Sequence, residues 1–154
     1  MSDVRHIEGV TVLPLKKSPD ERGVIMHGVR SDTILNPFGE VYFKKLYYGV
    51  INGWHVHETL VLNYICLVGM IKLVLYDLRP DSPTRGVFQE VFFGDENYCL
   101  VHIPPGIANA SKGLSSPYAL FCNVASEPHN PAIQYRRIDP HGSEIPYDWR
   151  RRDY

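Results

Sequence analysis

The strongest constraint on the fold is a succession of short apolar segments, rich in β-branched and aromatic residues, each stopped by turn-forming sequence. VTVLPL, VIMHGV, EVYFKKLYYGVI, LVLNYICLV, IKLVLYDL, VFQEVFFG, YCLVHI and YALFCNVA follow one another along the chain. Between them stand PDERG, RPDSPTRG, GDEN, PPG and GLSSP, where Gly, Pro, Asp and Asn supply turn geometry. No window sustains a 3.6-residue apolar period over three turns, so a helical bundle is not expected. Short strands at this density predict an all-β sandwich or barrel. Within IKLVLYDL, Ile71, Leu73 and Leu75 alternate with Lys72, Val74 and Tyr76. That alternation predicts a strand with one firmly buried face.

A chain of 154 residues suits one domain with a sizeable core. The barrel is expected over about residues 40–126. The segment from about 127 to 154, EPHNPAIQYRRIDPHGSEIPYDWRRRDY, is proline-rich and reads as an irregular tail. Ile145, Tyr147 and Trp149 are its expected anchors on the barrel. Formal net charge is -1, with acids and bases spread along the chain, which favours neither nucleic acid nor a membrane surface as a partner. The basic run Arg150–Arg152 reads as solvated tail. Cys66, Cys99 and Cys122 form no CxxC pair and lie in apolar runs, as buried free thiols do. MSDVRHIEGV has no apolar signal core and no apolar run is long enough to span a bilayer. A cytoplasmic location is expected.

The stretch GVINGWHVHETLVLNYICLVG, from Gly49 to Gly69, has the spacing of the first cupin motif in Gly49, His55, His57 and Gly69. The motif's glutamate position holds Leu62, and the fourth ligand of the second motif, in IPPGIAN, is Asn109. A tight transition-metal site needs three or four converging N, O or S donors. Two imidazoles beside a leucine and an amide do not supply them, so neither metal nor other cofactor is expected. His102 and His129 are the spare histidines. On a strand His55 and His57 face one side, and Trp54, Val56 and Glu58 the other. Two imidazoles side by side suit proton chemistry near neutrality, or a hydrogen-bonded pair lining a plain binding pocket.

Several blocks, in order, resemble the dTDP-4-dehydrorhamnose 3,5-epimerase family of nucleotide-sugar cupins. They are PDERG at Pro19–Gly23, GVINGWH at Gly49–His55, YDLRPDSPTRG at Tyr76–Gly86, IPPGIAN at Ile103–Asn109, and IDP at Ile138–Pro140 followed by IPYDW. The Asp-Leu-Arg to Ser-Pro-Thr block is the most specific. The resemblance implies a cupin-type jelly roll, a homodimer and a nucleotide-diphosphate sugar as substrate. By position, His55 matches the family's base, Asp139 its carboxylate partner, and Arg22 an arginine that contacts the diphosphate. A proton next to a ketone is lost readily when the enolate is stabilised, and a forked guanidinium suits phosphate oxygens.

The departures bear on the acid. The family's acid is a tyrosine at a place that holds Asn123 here, and the arginine before its Gly-Leu-His is Asn52. An amide hydrogen-bonds but does not act as an acid. His57, Tyr47, Tyr48, Tyr64 or a bound water remain candidates. Asn63, Tyr64, Lys72, Asn109 and Asn123 are candidate substrate-binding residues. KKLYYGVINGWHVH also resembles the nucleotide-4-keto-sugar 3,4-ketoisomerases, in which His55, His57 and Tyr47 or Tyr48 would shuttle protons. The expected function is epimerisation of a nucleotide-linked 4-keto-6-deoxy sugar at C3, C5 or both. The alternatives are the ketoisomerase and a non-catalytic sugar-binding cupin.

Overall fold

The alternating segments become twelve strands in a computed structural model that describes residues 5–33, 37–132 and 135–153. They are β1 (Thr11–Pro14), β2 (Lys17–Asp20), β3 (Gly23–Met26), β4 (Glu40–Tyr47), β5 (Ile51–Val56), β6 (Leu62–Val68), β7 (Met70–Asp77), β8 (Phe88–Gly94), β9 (Cys99–Ile103), β10 (Ile107–Gly113), β11 (Tyr118–Ala125) and β12 (Arg136–Arg137). One five-stranded sheet has the order β1-β9-β6-β11-β4, and a second the order β12-β5-β10-β7-β8. The pair β2–β3 stands as a separate hairpin. The fold is the all-β jelly-roll sandwich of the cupins.

The core lies between the two sheets, and the pleat decides its membership. Leu62, Tyr64, Cys66 and Phe121 meet Ile71, Leu73, Leu75, Val91 and Phe93 across it. Removing each such side chain from water contributes about 1.5–3 kcal/mol. The expectation for IKLVLYDL holds for Ile71, Leu73 and Leu75. Its other face is covered as well, because the tail folds over the second sheet. Trp54, Val56, Val74, Ala108 and Ala110 pack there under Ile138, Ile145 and Trp149. The outer face of the first sheet is covered by the N-terminal arm, where Ile65, Leu100 and Cys122 meet Leu13, Leu15 and Val29.

EVYFKKLYYGVI reads as one segment but forms parts of two strands in different sheets. Gly49, at φ +75°, turns the chain between β4 and β5, a backbone conformation that glycine adopts without steric cost. The central strand β10, IANASKG, carries little of the β-branched or aromatic signal of a strand. It forms because β5 and β7 pair with it on both edges. The approach of β5 is close: a Cβ at Gly53 would lie 2.6 Å from the Ala110 Cβ.

Candidate active site

The alternation of β5 that sends Trp54 and Val56 under the tail turns His55, and His57 beyond the strand's end, to the other side. There they line a cavity of about 350 Å³, within the size range of small-ligand sites. A register shift between Asn109 and Ala110 interrupts the pairing of β10 with β5. It lets Asn52 line the cavity with His55 although the two are three residues apart. The facing sheet contributes Glu40, Tyr42 and Lys44 from alternate positions of β4, and Tyr64 and Phe121 from β6 and β11. Tyr135 and His129 close one side.

Both histidines lie against one aromatic ring, tilted to it. The Tyr135 ring centroid lies 5.6 Å from that of His55 and 5.3 Å from that of His57. Its hydroxyl accepts a hydrogen bond from Arg137 Nε at 3.0 Å, and Arg137 pairs with His55 across the β12–β5 ladder. Burial pushes the His55 pKa down to about 4, with the positive charge of Arg137, then His57 and Lys44, adding to the effect. Burial also lowers His57. Both imidazoles are therefore neutral at pH 7 and able to accept a proton. Lys44 is lowered by burial and by Arg137, yet it brings a cation to the same cavity.

Two buried amides stand behind the walls. Asn109 Oδ1 accepts the Tyr64 hydroxyl proton at 3.1 Å, and Asn109 Nδ2 donates to the His55 carbonyl at 3.2 Å. Asn109 thus ties the two sheets at the level of His55. Burial raises Tyr64 strongly, so its hydroxyl stays protonated and committed to Asn109. Asn123 Oδ1 accepts the Asn63 backbone N–H at 3.1 Å, and its Nδ2 donates to the Tyr42 hydroxyl oxygen at 3.1 Å.

Of the residues singled out from sequence, the structure gathers His55, His57 and Tyr64 at the cavity, with Asn109 and Asn123 bonded to its lining. The others lie elsewhere, each for a local reason. Tyr48 is 64% exposed and sits in the β4–β5 turn, beyond the end of β4 opposite Glu40. Arg22 is at the tip of the β2–β3 hairpin, where its guanidinium pairs with Asp20 at 2.6 Å. Asn63 takes the outer face of β6, between the core-facing Leu62 and Tyr64. It bonds His102 Nδ1 at 2.8 Å and the Val124 carbonyl at 2.9 Å. Lys72 faces away from the core by the same alternation. It lies beneath the tail, 4.8 Å from the Tyr147 ring centroid and 3.7 Å from Glu90.

Asp139 follows Ile138, whose backbone exchanges hydrogen bonds with Trp54. The tail therefore carries it to the edge of β5. Its carboxylate, however, is exposed and caps the His141 N–H at 2.9 Å. The His55 neighbour on that strand is Arg137. The most specific sequence block, YDLRPDSPTRG, also lies off the cavity. Buried Asp77 accepts from Arg79, Ser82 Oγ and Thr84 Oγ1, all at 2.7–2.9 Å through their side chains. These bonds fix the β7–β8 loop.

Tyr42, Lys44 and Tyr135 were not legible as site residues. In EVYFKKLYY both alternating sets mix aromatic and charged residues, so the pattern does not say which face is inward. Among the described residues no group of three or more His, Cys, Asp or Glu is gathered as a metal site requires. Leu62 lies in the core and the Asn109 oxygen is engaged by Tyr64, so the donors at the cupin ligand positions do not fit a tight metal.

Comparison with known proteins shows the family. The family model described as dTDP-4-dehydrorhamnose 3,5-epimerase matches residues 5–154. A spore coat polysaccharide biosynthesis protein of Bacillus subtilis is 34% identical over 147 residues, 93% of this chain and 96% of that protein. A "probable low-salt glycan biosynthesis epimerase" of Haloferax volcanii is 31% identical, covering 93% of this chain and 90% of the relative. The crystal structure of a dTDP sugar isomerase from Desulfovibrio desulfuricans superposes with a TM-score of 0.88 at 31% identity, over 93% of this chain and 92% of that one. With the family model spanning residues 5–154 and relatives more than 30% identical over 93% of its length, the chain belongs to the dTDP-4-dehydrorhamnose 3,5-epimerase family, enzymes of the isomerase class.

Proposed function

We infer that this enzyme epimerises a nucleotide-linked 4-keto-6-deoxy sugar at a carbon next to the C4 ketone, with His55 as the base. The observation that carries the reading is the neutral, half-buried His55 imidazole facing a cavity of about 350 Å³ in a chain of this family. His55 takes the α-proton, and the electron pair left behind passes into the enolate. Lys44 lines the same cavity and supplies positive charge for the enolate oxygen, the effect that most lowers such a barrier. Asn52 offers an amide donor beside it. Asp139 and Arg22 do not touch His55 or line the cavity, and neither has a direct part in this reading.

A homodimer belongs to the same reading. β4 is an edge strand that leaves Val41, Phe43 and Tyr47 exposed, and the β2–β3 hairpin exposes Val24 and Ile25. An open apolar edge of this kind is normally covered. Free thiols at Cys66, Cys99 and Cys122 support a reducing compartment.

The test is incubation with nucleotide-4-keto-6-deoxy sugars in deuterated water, following C3 and C5 by NMR. Deuterium entering at either carbon, and lost in His55→Asn, is the expected result. No exchange with any such sugar would leave a binding protein. The contact of Tyr135 with both histidines supports a second reading, 3,4-ketoisomerisation. Its mark would be deuterium at C3 with the ketone moved from C4.

A further inference from the structure

Inversion at carbon needs a proton donor on the side away from the base, and the cavity offers three phenolic hydroxyls, Tyr42, Tyr64 and Tyr135. Two of them are spoken for. The Tyr64 proton is given to buried Asn109 Oδ1. Tyr135 belongs to the tail beside β5 and covers the ring of His55, so it stands on the base's own wall. Tyr42 is on β4, in the sheet that faces β5 across the sandwich, and lines the same cavity as His55.

The hydrogen bonds of Tyr42 fix where its proton points. Asn123 is fully buried, and its amide has one orientation. Oδ1 must face the Asn63 backbone N–H, which can only donate. Nδ2 is therefore the group directed at Tyr42, and the phenolic oxygen accepts. With that lone pair engaged from below, the hydroxyl proton is free to point into the cavity. The amide N–H also remains to bond the oxygen after its proton has gone.

We propose that Tyr42, seated on Asn123, is the catalytic acid that delivers the proton opposite His55. This rests on the epimerase reading and deepens it. His55 breaks the C–H bond and keeps the proton, and the C–H electron pair forms the enolate C=C while the carbonyl π pair moves to oxygen. The enolate then collapses, its carbon takes the Tyr42 proton on the opposite face, and a phenolate is left. Water removes the proton from imidazolium and returns one to the phenolate, which closes the cycle with no other reactant. Asn123 touches the acid and not the substrate in this scheme, so it is a positioning residue.

Tyr42→Phe removes one oxygen and keeps the ring. A general acid contributes about 10²–10⁴-fold, so net inversion should fall at least about 100-fold. Deuterium should still enter the substrate with retained configuration at close to the wild-type rate, because His55 can exchange its proton with solvent and return it to the same face. Circular dichroism and an unchanged substrate Kd establish that the variant is folded and binds. Inversion by Tyr42→Phe within a few-fold of wild type overturns the proposal. So does loss of exchange and inversion together, which would make the hydroxyl part of binding or deprotonation. If wild-type enzyme exchanges no α-proton of any 4-keto sugar, the epimerase reading fails and this inference with it. Wild-type exchange with an indifferent Tyr42→Phe removes the acid assignment alone.

Discussion

The Tyr64 hydroxyl donates to Asn109 Oδ1 at 3.1 Å, joining β6 of one sheet to β10 of the other. Because Asn109 Nδ2 also bonds the His55 carbonyl, this pair holds the strand that presents the base. Asn109→Ala leaves the hydroxyl of buried Tyr64 without this partner and should cost about 1–3 kcal/mol. Tyr64→Phe in the Asn109→Ala background should then be milder than Tyr64→Phe in wild type, since both partners are absent. Urea denaturation of the four proteins measures the cycle, and simple additivity would count against the link.

Burial and the Arg137 charge hold the His55 pKa near 4. The acid limb of kcat/KM should therefore fall well below the ordinary imidazole value of 6.5. Arg137→Gln removes one of the opposing charges and should move that limb to higher pH. A limb near 6.5 in wild type, unmoved in the variant, would show that Arg137 does not act on the base.

The same depression links pH to stability. His55 is about 4 in the folded chain and near 6.5 unfolded, so between those values the unfolded chain binds more protons. Its contribution is present above pH 6.5 and is lost as pH falls toward 4. His57 and His102, lowered by burial, act in the same direction. Tm should drop from pH 7 to pH 5, and less steeply in His55→Asn. An equal slope in both proteins would contradict the shift.

Asp77 is fully buried, which works against ionisation, but hydrogen bonds from Arg79, Ser82 and Thr84 outweigh burial and hold its pKa well below the carboxylate range. Asp77→Ala leaves Arg79 and two hydroxyls without their acceptor. A loss of about 3 kcal/mol is expected, the scale of a broken buried pair. Calorimetry checks the cost.

Lys72 tests whether chemistry follows the cavity or the sequence position. It lies under the tail against Tyr147 and Glu90, on the face of β7 away from the core. Lys72→Met should leave kcat/KM within a few-fold of wild type. A hundred-fold loss in a folded variant would place Lys72 in the chemistry after all.

What the sequence determined by itself is the part of the structure written in local patterns. Alternation and turn residues specify strands such as β6, β7, β8 and β11, because the pleat and the turn conformations act over neighbouring residues. The same two-residue period puts His55 and His57 on one face. Tertiary structure decided what alternation leaves open, namely which face of a strand is covered and by what. Neither face of β7 is free, since the tail lies on one and the core on the other. β10 is a strand only because two partners pair with it. Tyr42 meets His55 across a cavity although they are distant in hydrogen-bonding order, because the sandwich brings an edge strand of one sheet over β5 of the other. Burial, charge and the direction of a hydroxyl proton belong to that assembled space, and no run of neighbouring residues encodes them.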